Sequence, residues 1–123
     1  MKLIFLALGG ALGALMRYGL SGFVYKLIGT DFPYGTLVVN LTGCFFMGVS
    51  IALAETKFVI GPNLKLFIMI GFLGAFTTFS TFILETDNLL RDSEMARTFM
   101  NVFLNVIVCF VFLRIGAFVG KLI

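Results

Sequence analysis

Four long apolar runs follow one another along the chain, separated by short clusters of polar residues, glycine and proline. A membrane-crossing helix takes about 20 mostly apolar residues. The runs predict such helices over residues 3–28, 34–54, 64–84 and 99–122. Gly29-Thr30-Asp31-Phe32-Pro33 is a turn cluster, with Pro33 placed to open the second helix. Glu55-Thr56-Lys57 and Gly61-Pro62-Asn63 bracket the next connection. Residues 85–97 are the charge-rich stretch and read as a third loop flanked by frayed helix ends. The pattern predicts an all-α membrane protein, with residues 1–123 forming a single domain of four transmembrane helices.

Composition strengthens this reading. An apolar share of 60% and a mean hydropathy of +1.11 exceed what 123 residues could bury in water. Lipid removes the need to bury it, and the expected location is the cell membrane, inner or plasma, with several passes. Lys2 and the apolar residues up to Met16 resemble a secretory signal, but Arg17-Tyr18 and the renewed apolar stretch behind them favour a first membrane helix. Cys44 and Cys109 lie inside apolar runs, where they are expected to act as small hydrophobes and not as a disulfide. The formal charge of +3 is spread without a basic cluster, so nucleic acid is not an expected partner.

The same charges give little orientation. Four helices place Lys2, Lys57, Lys65 and Lys121 on one side, and Lys26, Arg91 and Arg97 on the other. Positive residues normally mark the cytoplasmic side, and this balance is nearly even. Two outcomes stay open: copies inserted in opposite senses and paired about an axis in the membrane plane, or one orientation fixed by one or two particular charges. Gly9 with Gly13, and Gly116 with Gly120, have the G-x-x-x-G spacing of close helix contacts, and Gly10 is read with the first of these faces.

The third run departs from its neighbours. It reads Gly71-Phe72-Leu73-Gly74-Ala75-Phe76-Thr77-Thr78-Phe79-Ser80-Thr81-Phe82. Weak helix formers concentrate where a span should be strongest, which predicts a helix interrupted near residues 74–78. Backbone freed at membrane depth needs protein or water around it. Its carbonyls suit a small cation, and the N-terminal end of the following half-helix suits an anion. Ser80 and Thr81 offer hydroxyl donors, while Phe79 and Phe82 share a face and present the positive ring edges of their quadrupoles. The competing reading is an ordinary helix whose hydroxyls bond back to its own carbonyls. Asn40, mid-span in the second run, is either an anion donor or a tie between helices; Asn101 and Asn105 make a similar stripe with Cys109.

Absent residue types narrow the class. The chain has no histidine, and no acid lies centrally in a run; Glu55 and Glu85 are near run ends. Proton coupling wants a titrating group within the membrane, and catalysis or zinc binding wants clustered acids or histidines. The expectation is a passive pathway, with neither an enzyme nor a proton-driven pump.

In three places the residues resemble the Fluc family, also called CrcB proteins, which are fluoride channels. The matches are Gly-Ala-x-x-Arg-Tyr at 13–18, Gly-Thr-Leu-x-Val-Asn-x-x-Gly at 35–43, and the long motif at 71–82. The resemblance covers essentially the whole chain. It implies a fluoride channel giving passive efflux and so protecting the cell, built as an antiparallel, dual-topology homodimer. It also implies a structural sodium ion at the dimer centre, held by the main-chain carbonyls of Gly74 and Thr77. Phe79 and Phe82 would form an aromatic box, with Asn40, Ser80 and Thr81 beside the path. Arg17 would sit at the aqueous mouth, and Glu85 matches an acidic position beyond the motif. Asn105 and Cys109 stand where family members often carry serine. Other classes make different demands: a small multidrug or guanidinium exporter relies on a glutamate in its first helix, absent here, and a membrane scaffold would use Phe79 and Asn40 only for packing.

Overall fold

The computed structural model describes residues 1–56 and 60–123. Lys57, one of the charges weighed for orientation, lies outside the described residues. Helix α1 is Lys2–Ile28 and α2 is Tyr34–Thr56. The third crossing, Pro62–Arg91, consists of α3 over residues 62–76 and α4, Phe79–Arg91. The fourth crossing, α5, is Met95–Leu122. Among the described residues these four crossings are long and apolar enough to span a bilayer. Two stretches, Leu66–Leu73 in α3 and Leu104–Val108 in α5, take the wider π-helical turn.

The turn after α1 forms where its sequence predicts. Gly29 adopts φ 104°, which favours glycine, and its N–H closes onto the Tyr25 carbonyl at 2.9 Å. The third loop is much shorter than expected. Residues 85–91 continue α4, and the chain reverses at Asp92-Ser93-Glu94 before α5 begins at Met95. Hydropathy ends a span where charge begins, but charge does not end a helix. Arg91 pairs with Asp87 at 2.8 Å one turn away, and Arg97 with Glu94 at 3.1 Å. Arg97 also donates to the Asp31 carbonyl at 3.0 Å, joining the first and third loops at one end of the molecule.

The helices pack as two parallel pairs, α1 along α3 and α2 along α5. Backbone touches backbone in both. A Cβ at Gly9 or Gly13 would strike the carbonyl oxygen of Phe67 or Phe72, and one at Gly48 or Gly116 that of Leu113 or Phe45. Lipid gives apolar side chains no reason to leave it, so such close contact is what draws membrane helices together. Gly10 does not join this face: nothing lies within 4 Å of a Cβ placed there. One residue turns a helix by 100°, which carries Gly10 away from the seam that Gly9 and Gly13 share. Outer faces carry large exposed apolar residues, including Leu3, Phe99, Phe110 and Phe118, as a lipid-facing surface should.

Candidate functional site

Between α3 and α4 the backbone leaves the helical region for two residues. Thr77 has φ −78° and ψ 153°, and Thr78 has φ −143° and ψ 122°. Gly74 is still helical, at φ −64° and ψ −37°. The helical bonds that should cross this point are replaced by side chains. Asn40 of α2 accepts from the Thr78 N–H at 2.8 Å and donates to the Thr78 carbonyl at 3.1 Å. Its amide thus pairs with Thr78 as a neighbouring strand would. Thr78 caps α4, its hydroxyl oxygen accepting from the Thr81 N–H at 3.4 Å and donating to the Thr81 hydroxyl at 3.1 Å.

Among the carbonyls that lose their helical donors at the break are those of Gly74 and Thr77. In a continuous helix Gly74 would accept from Thr78, and Thr77 from Thr81. Both N–H groups point elsewhere, the first to Asn40 and the second to the Thr78 hydroxyl. The Ala75 carbonyl is taken by Arg17, whose Nε donates to it at 3.1 Å. Arg17 therefore lies half-buried against the break, reaching it from α1. Gly74 and Ser80 are exposed on the outside of the chain, and a Cβ at Gly74 would meet only the Met69 carbonyl oxygen, at 3.7 Å.

From the break a ladder of amides runs along the interior. Asn40 donates to Asn105 Oδ1 at 2.9 Å, Asn105 to Asn101 Oδ1 at 2.9 Å, and Asn101 to the Thr86 hydroxyl at 2.9 Å. Asn105 sits on the π-helical turn of α5, and Asn101 is almost fully buried. Both N–H groups of Asn40 are engaged by protein, which makes its amide a support for the break and a tie between helices. Each such bond in a membrane contributes about 0.6 kcal/mol on average.

Beside the ladder lies a cavity of about 200 Å³ lined by Asn40, Thr78, Phe79, Phe82, Asn105 and Cys109, among others. Phe79 and Phe82 meet edge to face, with ring centroids 5.5 Å apart and planes at 65°. Their surroundings differ: Phe82 is 3% exposed and Phe79 71%. The donors on this wall are held by protein oxygens: the Asn40 and Asn105 amides bond to Thr78, Asn105 and Asn101, and the Thr77 and Thr78 hydroxyls to Leu73 and Thr81. Helix α4 starts here with its N–H groups, the positive end of its dipole. Ser80 and Thr81 stand on the first turn of α4, outside the cavity wall.

Glu85 belongs to a second space, a cavity of about 490 Å³ at the loop end. Its Oε2 accepts from the Tyr25 hydroxyl at 2.8 Å, while Oε1 is buried with no partner among the described residues. The structure thus gathers Asn40, Phe79, Phe82, Asn105 and Cys109 around one cavity and sets Glu85 apart from them. Tyr25, Thr78 and Cys44 have parts that their sequence did not assign. Thr78 carries a readable signal, a threonine placed to cap the helix that begins at Phe79. Tyr25 and Glu85 are 60 residues apart, and nothing local links them.

A multi-crossing helical membrane protein with one irregular segment held by amides, and a largely apolar cavity with a few amide and hydroxyl groups beside it, is the class defined so far. Within that class the chain belongs to the family described as CrcB-like protein, Camphor Resistance (CrcB), which matches residues 4–117. Relatives agree with this over nearly their full length. A protein of Citrifermentans bemidjiense named fluoride-specific ion channel FluC is 48% identical over 120 residues, covering 98% of this chain and 97% of its own. Proteins of the same name from Desulforapulum autotrophicum and Dehalococcoides mccartyi are 46% and 43% identical over 122 residues. They cover 99% of this chain, and 98% and 94% of their own.

Proposed function

We propose that this chain is a fluoride-specific ion channel that lets fluoride leave the cell passively and so limits its toxicity. The name shared by relatives 43–48% identical over nearly the whole chain supports the ion. The observation that carries the pathway is the cavity at the helix interruption, which Asn40, Thr78, Asn105 and the Phe79–Phe82 pair line together. Fluoride is small and strongly hydrated, so a path must replace its water with short donor contacts. A tight track of neutral groups does this, excludes larger halides by size, and binds weakly enough to release the ion.

The working form is an antiparallel, dual-topology homodimer. Support comes from Gly74 and Ser80, polar backbone and hydroxyl exposed mid-span on a single chain. Irregular backbone does not face hydrocarbon, and a second copy would cover it. A structural sodium ion fits the same place. The carbonyls of Gly74 and Thr77 have lost their helical donors, and oxygen atoms at unwound backbone are what sodium takes in membranes. Two copies would contribute four such oxygens around an axis, and the cation's charge would lower the cost of an anion nearby. Arg17, Glu85, Ser80 and Thr81 then serve as flanking groups, with Asn105 and Cys109 lining the path from α5.

Fluoride efflux from liposomes tests the pathway. Phe82→Ile removes the buried ring while keeping an apolar side chain, and efflux should fall at least about tenfold, a change of about 1.4 kcal/mol. Unchanged efflux would mean that Phe82 only packs, as in a scaffold. Reporter tags after Ile123 test the assembly: they should be found on both sides of the membrane, and uniform placement on one side would refute opposite insertion.

A further inference from the structure

Cys44 and Cys109, expected to act as small hydrophobes without a disulfide, are free thiols, and the fold places them together. Cys44 lies one turn after Asn40 and one before Gly48 on α2; Cys109 lies one turn after Asn105 and one before Leu113 on α5. Asn40 donates to Asn105 at 2.9 Å, and Gly48 rests on the Leu113 carbonyl. The helices are parallel, so contacts one turn below and one turn above bring the cysteines to the same level. Both thiols line the 200 Å³ cavity that holds Phe79 and Phe82, and the register of the two helices sets them at one level of its wall. Cys109 is buried and Cys44 half-buried, each on the cavity wall.

We propose that this pair is a binding site for a thiophilic, two-coordinate d10 dication, and that its occupation plugs the cavity. Two thiols suit a linear ion. Among the described residues no third cysteine, histidine or carboxylate joins them, which removes the tetrahedral set that zinc requires. Thiolate ligands select soft metals over the hard cations that take oxygen. Charge favours a dication: the Cys44 and Cys109 S–H bonds break, two S–Hg bonds form with mercuric ion, and two protons pass to the buffer. No oxidation state changes, and the product is neutral, so the low-dielectric interior holds no added charge. The binding half stands on the thiol geometry alone; the plugging half rests on the proposed fluoride pathway.

Mercuric ion is the probe, added to the full-length protein in liposomes. Free thiols are counted after unfolding in detergent, alongside retained mercury. The native chain should lose both thiols on taking up one mercuric ion per chain, a readout that needs no variant. Against glutathione as competitor, Cys44→Ala and Cys109→Ala should each hold mercury at least about 100-fold more weakly, because the second thiolate no longer adds its local concentration. Two ions per chain, or a single-alanine variant binding as tightly as the native chain, would overturn the site. Fluoride efflux is then compared with and without one equivalent in the same preparation. It should drop at least about tenfold in the native chain, and efflux that persists with the metal bound would overturn the plug. Paired thiol loss in a chain that passes no fluoride under any condition would leave the metal site standing and refute the fluoride reading.

Discussion

The α1–α3 and α2–α5 seams rest on the same kind of glycine contact and differ in what they add to it. Along α1 and α3, Gly9 and Gly13 bring backbones together, and the main polar addition is Arg17 on the Ala75 carbonyl. Along α2 and α5, Gly48 and Gly116 do the same, but one and two turns away the seam carries Cys44 with Cys109 and Asn40 with Asn105. The glycines set distance in both seams. The amides of the second set the conformation of a third element, because Asn40 also holds both backbone groups of Thr78. Close packing alone does not dictate where a helix stops; a directional group aimed at one peptide does.

Substitutions should separate the two effects. Gly116→Leu and Gly13→Leu each drive a side chain into a backbone oxygen that cannot yield, and each should cost about 3 kcal/mol or more, read as loss of folded, monodisperse protein. If only one of them destabilises the fold, the seams do not share a glycine mechanism. Asn40→Leu removes three hydrogen bonds and should cost about 2 kcal/mol in reversible unfolding, at about 0.6 kcal/mol each. It should also lower fluoride efflux by at least about tenfold, an effect equal in size to that of Phe82→Ile. Asn105→Ala also removes three hydrogen bonds and should cost about 2 kcal/mol at about 0.6 kcal/mol each, while sparing both backbone groups of Thr78. Gly10→Ala, facing open space on α1, should change stability by no more than about 1 kcal/mol and in the stabilising direction.

The crossings were legible because lipid imposes a length and a composition on every spanning helix, and four runs satisfied both. Their ends were less so. The run expected to stop at residue 84 continues to Arg91, since a charged sequence can remain helical beyond the hydrocarbon, here with Arg91 paired to Asp87 one turn away. At the site, the concentration of glycine and hydroxyl residues marked residues 74–78 as weak helix, and Thr77 and Thr78 are the residues with extended backbone. What diverts the Thr78 N–H comes from another helix, 38 residues away, and no local pattern encodes that pairing. Asn40 stood out as polar in an apolar run, but its two sequence readings differed only in which partner it faced. That Cys44 and Cys109 share one cavity wall was hidden for a related reason: they are 65 residues apart, and no local pattern pairs them.

Fluoride and chloride efflux, compared in liposomes holding the purified chain, separate a selective fluoride path from a leak and from a scaffold. Fluoride should leave down its gradient, without a proton or sodium gradient to drive it, while chloride stays behind. Equal release of both halides, or release of neither, would contradict the account.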